Sequence, residues 1–142
     1  MTDKPSPLPP SMPSAGAAPG EDAFLALAEA ALAAMPAEFL PHIGGLLLSI
    51  EDVADAATLA EMAIEHPYDL TGLYQGRPLT EKSVEDAGGL PDVVTLYRLP
   101  ILVEWIESGE RLDDLVRHVL VHEIGHHFGF TDDDMDQIEG AD

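Results

Sequence analysis

The sequence predicts an α+β domain. Three observations carry that prediction: short apolar or β-branched runs of strand length, apolar positions recurring at helical spacing around them, and a length of 142 residues, which suits one small domain. Residues 1–20 stand apart from the rest. They hold six of the twelve prolines together with Ser, Gly and Ala, and almost no bulky apolar residue, so burial cannot offset the entropy of ordering them. They are expected to form a disordered, partly polyproline-like tail. Residues 21–142 form the folded domain, about 120 residues and enough for one core.

The elements follow in order. Glu21 and Asp22 place negative charge in the first turn of a helix, and Phe24, Ala28, Ala31, Leu32 and Met35 mark one of its faces before Pro36 stops it. Beyond Pro41 and Gly44-Gly45, residues 46–50 (L-L-L-S-I) suit a buried strand. Val53, Ala57, Ala60 and Ile64 predict a second helix ended by Pro67. Residues 70–74 read as another strand, leading to a turn at Gly76-Arg77-Pro78, and residues 79–91 as a polar loop. Residues 92–98 (D-V-V-T-L-Y-R), between Pro91 and Pro100, give the clearest strand. From there the pattern is helical. A short helix over 101–107 breaks at Ser108-Gly109. Ser108 is placed to cap a long helix whose first turn holds Glu110, Asp113 and Asp114. That helix carries Leu112, Leu115, Val119, His122 and His126 on its inner side and should end at Gly129. Thr131 can cap a last helix over 132–139.

Charge and composition exclude several functions. With 27 Asp and Glu against 6 Lys and Arg, the net charge is −21, so binding to nucleic acid or to an anionic membrane surface is not expected. Such a surface is largely solvated, and it would attract basic peptides or cations. Cysteine is absent, so any metal must be held by His and carboxylate. Lys4 is followed by no apolar run until Phe24, and no stretch reaches the ~18 apolar residues of a membrane span. A cytoplasmic protein is expected.

The chemistry is concentrated in one string, His122-Glu123-Ile124-Gly125-His126, which reads H-E-x-x-H. Two imidazoles four residues apart on a helix differ by about 40° of rotation and roughly 6 Å of rise, so both rings can reach one metal ion. Glu123, turned about 100° from His122, is placed as the general base that takes a proton from water activated by the metal; otherwise it is a solvated helix glutamate. Gly125 is costly inside a helix by up to about 1 kcal/mol, which calls for a close neighbour. Gly129 can take the positive φ that turns the chain back under the helix, so that Asp132 becomes a third protein ligand with a fourth position left open. Asp132, Asp133 and Asp134 equally suit the start of the last helix, and Asp133 or Glu139 are the other candidate ligands. Three His along about 12 Å of helix cannot share one ion, so His118 is expected behind the site or in the core. His127 points more than 90° from the His122/His126 face, to pack or to meet solvent.

With its continuation to Gly129 and Asp132, the string H-E-x-x-H-x-x-G-x-x-D resembles that of zincin metallopeptidases, and most closely that of very short bacterial zincin-like proteins. The likeness covers most of residues 22–139 and rests on L-T-G-L-Y-Q-G-R-P-L-T at 70–80, V-T-L-Y-R-L-P at 94–100 and V-R-H-V-L-V-H-E-I-G-H-H-F-G-F-T-D-D-D-M at 116–135. The resemblance implies a small mixed sheet packed on helices, with one Zn²⁺ on the long helix. It implies also that the strand at 92–98 lies at the sheet edge and pairs with extended substrate; the other reading makes that strand core sheet. The larger metzincins usually have His in place of Asp132 and a methionine turn further on. Here Met135 follows Asp132 almost at once, so an open cleft and low activity are expected.

The function expected is therefore zinc-dependent hydrolysis of an extended peptide or unfolded protein, basic segments among them. His122, His126 and Asp132 would hold the metal, and Glu123 would move the proton. Arg98, Tyr74 and Tyr97 are candidates for stabilising the oxyanion. The alternatives are a metal-stabilised peptide-binding module without turnover and a metal-dependent hydrolase of a non-peptide amide or ester.

Overall fold

The computed structural model describes residues 18–76 and 91–130. Most of the predicted tail, all but the last residue of the predicted loop at 79–91 and the helix at 132–139 lie outside the described residues, as do Thr131, Asp132, Asp133, Met135 and Glu139.

Helix α1 (Glu21–Ala33) opens with the two acidic residues and buries Phe24 and Ala28. A short helix α2 (Leu40–Ile43) leads into strand β1 (Leu47–Glu51). Helix α3 (Ala56–Glu61) is shorter than the predicted 53–64, because Asp55 caps it: its carboxylate accepts from the Thr58 N–H at 2.8 Å. A 3-10 turn (Pro67–Asp69) precedes strand β2 (Gly72–Gln75). Strand β3 (Val93–Tyr97) runs straight into helix α4 (Arg98–Ser108). Pro100 was expected to bound these elements, yet it sits in the first turn of α4, where its missing N–H has no helical partner to lose.

Ser108 does not cap the next helix. Its hydroxyl accepts from the Glu110 N–H at 3.2 Å, and helix α5 (Leu112–His127) starts after Arg111 with Asp113 and Asp114 in its first turn. Glu110 therefore falls outside that turn.

The three strands form one mixed sheet in the order β1-β3-β2, with β1 parallel and β2 antiparallel to β3. This corrects the expectation for residues 92–98: the strand is central, paired on both sides, and among the described residues the sheet edges are β1 and β2. A run of β-branched and apolar residues is what a strand covered on both faces requires. Register puts Leu48, Val94 and Tyr74 in one row and Ile50, Leu96 and Gly72 in the next, all on the face that meets α1 and α5. The opposite face carries Leu73 and Tyr97 in a smaller cluster with Ala54 and Leu70. The main core lies between sheet and helices, where Phe24, Val94, Leu96, Ile101, Val116, Leu120 and Ile124 are fully buried. Among the described residues no helix is long and apolar enough to cross a membrane.

Candidate functional site

Helix α5 packs on β2 with Leu115, Val116, Val119, Leu120, Glu123 and Ile124 buried. Closeness is made possible by Gly72: a methyl group there would stand 2.8 Å from Val119 Cγ1 and 3.1 Å from Glu123 Cγ. The strand thus presses against the middle of the H-E-x-x-H segment. Glu123 is only 7% exposed, which overturns its reading as a solvated helix residue.

Two donors hold the Glu123 carboxylate in that position. His126 Nδ1 lies 3.2 Å from Oε1, and the backbone of Tyr74 on β2 supplies a second hydrogen bond. Burial raises the Glu123 pKa, while the neighbouring His126 and His122 pull it down. With its proton on Nδ1, His126 donates to Glu123 and keeps the Nε2 lone pair for a metal.

The His122 and His126 rings stand side by side, centroids 5.1 Å apart and inclined at 68°. Both are partly exposed at the surface of α5. Two imidazole nitrogens next to a carboxylate, with no thiolate in the chain, form a donor set that fits Zn²⁺. Among the described residues no group of three His, Asp or Glu is assembled, so a third protein ligand would have to come from outside them. Asp132, Asp133 and Glu139 all do. Gly129 has the expected positive φ, +78°. The Phe130 N–H bonds to the Gly125 carbonyl at 2.8 Å and the Gly129 N–H to the His126 carbonyl at 3.0 Å, a paired closure that reverses the chain just after the His pair.

Other predicted residues are placed elsewhere. His118 is exposed, not core, and lines a cavity together with His122 and Glu123. Arg98 donates to Asp52 Oδ1 at 2.9 Å and to the Pro19 carbonyl at 3.0 Å. Tyr97 packs in the small cluster on the other face of the sheet. The Tyr74 ring leans on His127, centroids 5.7 Å apart.

His127 itself is 3% exposed. Its Nε2 donates to the His42 carbonyl at 3.0 Å, and its Nδ1 lies 3.1 Å from Asp92 Oδ2. That second contact is close enough for charge pairing but off the line of a hydrogen bond, since Nδ1 has no geometrically formed one. His127 thereby ties the end of α5 to the entry of β3 and to α2. Sequence reasoning missed Gly72, Asp92 and His127 as supports of the site. The available signals were a lone glycine in a strand pattern and a third histidine next to the motif.

The family model for zincin-like metallopeptidases matches residues 43–141. That is well over half of the chain, and the protein belongs to this family. Membership suggests a zinc-dependent hydrolase of the peptidase class. The match begins after α1, so the helix that packs beside α5 on the same face of the sheet lies outside it. Compared with curated proteins, the chain has no match.

Proposed function

We propose that the protein is a zinc peptidase acting on extended or unfolded peptide segments. The observation that carries this reading is Glu123, a carboxylate buried between α5 and β2 and held by two donors beside the His122 and His126 pair. His122, His126 and Asp132 would hold the ion. Zn²⁺ bound there supplies Lewis acidity, polarising the substrate carbonyl and making water easier to deprotonate.

Glu123 accepts the proton of the attacking water and returns it to the departing nitrogen. His126 orients that carboxylate through Nδ1, and Tyr74 does so from the backbone of β2. Among the described residues β2, and not β3, lies at an edge of the sheet beside Glu123, so an extended peptide would align along β2.

Purified protein should bind about one Zn²⁺ per chain, as the ligand set requires. His122→Ala or His126→Ala should abolish stoichiometric metal; full metal content in either would refute the ligand assignment. Asp132→Ala should lose less than either His variant, since Asp133 or Asp134 can partly substitute. Glu123→Gln should keep the metal and lose about 10²–10⁴ or more in hydrolysis rate. Incubating a peptide library with wild type and Glu123→Gln would decide: equal cleavage by both overturns the role of Glu123. Absence of cleavage by either, with zinc bound, would favour a binding module.

A further inference from the structure

We propose that the cleft between α4 and α5 is a side-chain pocket for a lysine or arginine of the bound peptide, next to Glu123. Its placing beside a scissile bond rests on the peptidase reading; its preference for a basic side chain does not.

Pro100, Val103, Glu104 and Glu107 fall on one face of α4 at helical spacing and turn toward the α5 stripe that ends in His122 and Glu123. Between them lies a cavity of about 420 Å³, within the range of side-chain and small-ligand pockets. Glu123 and His122 are among its lining residues, at the end nearest the H-E-x-x-H string, so a side chain seated in it brings its own backbone close to the general base.

The lining selects the chemistry. Pro100, Val103 and Val119 supply an apolar wall, while Glu104, Glu107 and Asp69 supply carboxylates, and no Lys or Arg is among the described lining residues. A long aliphatic stem ending in a cation matches both parts, stem on wall and head among the acids. An acidic side chain would meet like charge on several sides. A purely apolar one would leave the carboxylates facing it and gain nothing from them. Among the described lining residues His118 and His122 are the basic groups, and both are imidazoles rather than fixed cations.

The test uses the full-length, zinc-loaded Glu123→Gln protein at about pH 8, so that binding is read without turnover. Fluorescein-labelled alanine-rich peptides carrying one central Arg, Lys or norleucine are titrated by anisotropy at about 20 and 200 mM NaCl. The Arg and Lys peptides should bind about tenfold tighter than the norleucine peptide, with the advantage shrinking in salt. Adding Glu104→Gln and Glu107→Gln should reduce that advantage to less than about threefold. Adding instead Glu29→Gln and Glu38→Gln, the same charge change around α1, should leave it intact. Equal binding of Arg and norleucine peptides would overturn the pocket, and so would an equal effect of the two double substitutions, which assigns the preference to the overall acidic field.

Wild type is then incubated with the same peptides. Basic preference in binding without cleavage would sink the peptidase reading and leave the pocket standing. Cleavage indifferent to the basic residue would sink the pocket alone.

Discussion

Desolvation of Glu123 outweighs the pull of His126 and His122, so its pKa is raised. A carboxylate shifted in this direction contributes stability that is fully present below its unfolded pKa and is lost as pH rises through the folded value. At neutral pH the charge is therefore a cost to the metal-free fold. Metal-free Glu123→Gln should melt no lower than wild type at pH 7, because the amide oxygen still accepts from Tyr74 and His126. A melting temperature several degrees lower in the variant would show that the carboxylate charge itself holds α5 in place. Tyr97 offers a second titration. Burial first, then the charges of Glu51, Asp55 and Glu123, push its hydroxyl from 10.0 up to about 12. Its contribution is intact below pH 10 and is lost as pH climbs toward 12, on the order of 3 kcal/mol for a shift of this size. Tyr97→Phe should flatten alkaline unfolding in that window, as followed by circular dichroism.

At the scale of elements, the site depends on how closely β2 and α5 approach. Val119 is β-branched and buried, with little freedom to turn away. Gly72→Ala would therefore push helix from strand at the level of Glu123, at a cost of about 1–3 kcal/mol. Activity should fall further than zinc affinity, since His122 and His126 sit on the outer side of α5 while Glu123 faces the strand. Unchanged activity with unchanged stability would show that the strand does not position the base. The end of α5 obeys a different constraint. Gly129→Ala places a side chain at φ +78°, costing about 1–2 kcal/mol, with chain reversal beyond His126 weakened accordingly. This turn was readable in the sequence because a glycine three residues after the His pair is a local signal. The Gly72 contact was not, since its partners are 47 and 51 positions further along the chain.

For the whole molecule, the described fold starts where Arg98 reaches the Pro19 carbonyl and the Phe24 N–H bonds to the Gly20 carbonyl. Deleting residues 1–17 should leave the melting temperature unchanged, given their composition. Deletion through residue 20 removes both acceptors, worth about 1 kcal/mol, and should lower it by roughly 3–6 °C. The two truncations compared by calorimetry separate a composition effect from the loss of those contacts. Equal melting temperatures would show that the Arg98 bond contributes nothing.

Residue spacing alone located the H-E-x-x-H string on a helix and the three strands, since helical period, strand alternation and turn residues are local properties of the chain. It also fixed the angle between His122 and His126, which an α-helix sets by spacing, while their partly exposed side of α5, not the inner one expected, was decided by packing. Tertiary structure decided which strand is central. The β-branched run at 93–97 reads alike as an edge strand and as a covered one, and only pairing with both β1 and β2 distinguishes them. It decided the burial of Glu123 as well, which follows from a strand 50 residues earlier lying on α5. Likewise the His127–Asp92 contact and the cleft between α4 and α5 exist because packing brings together side chains that no periodicity links.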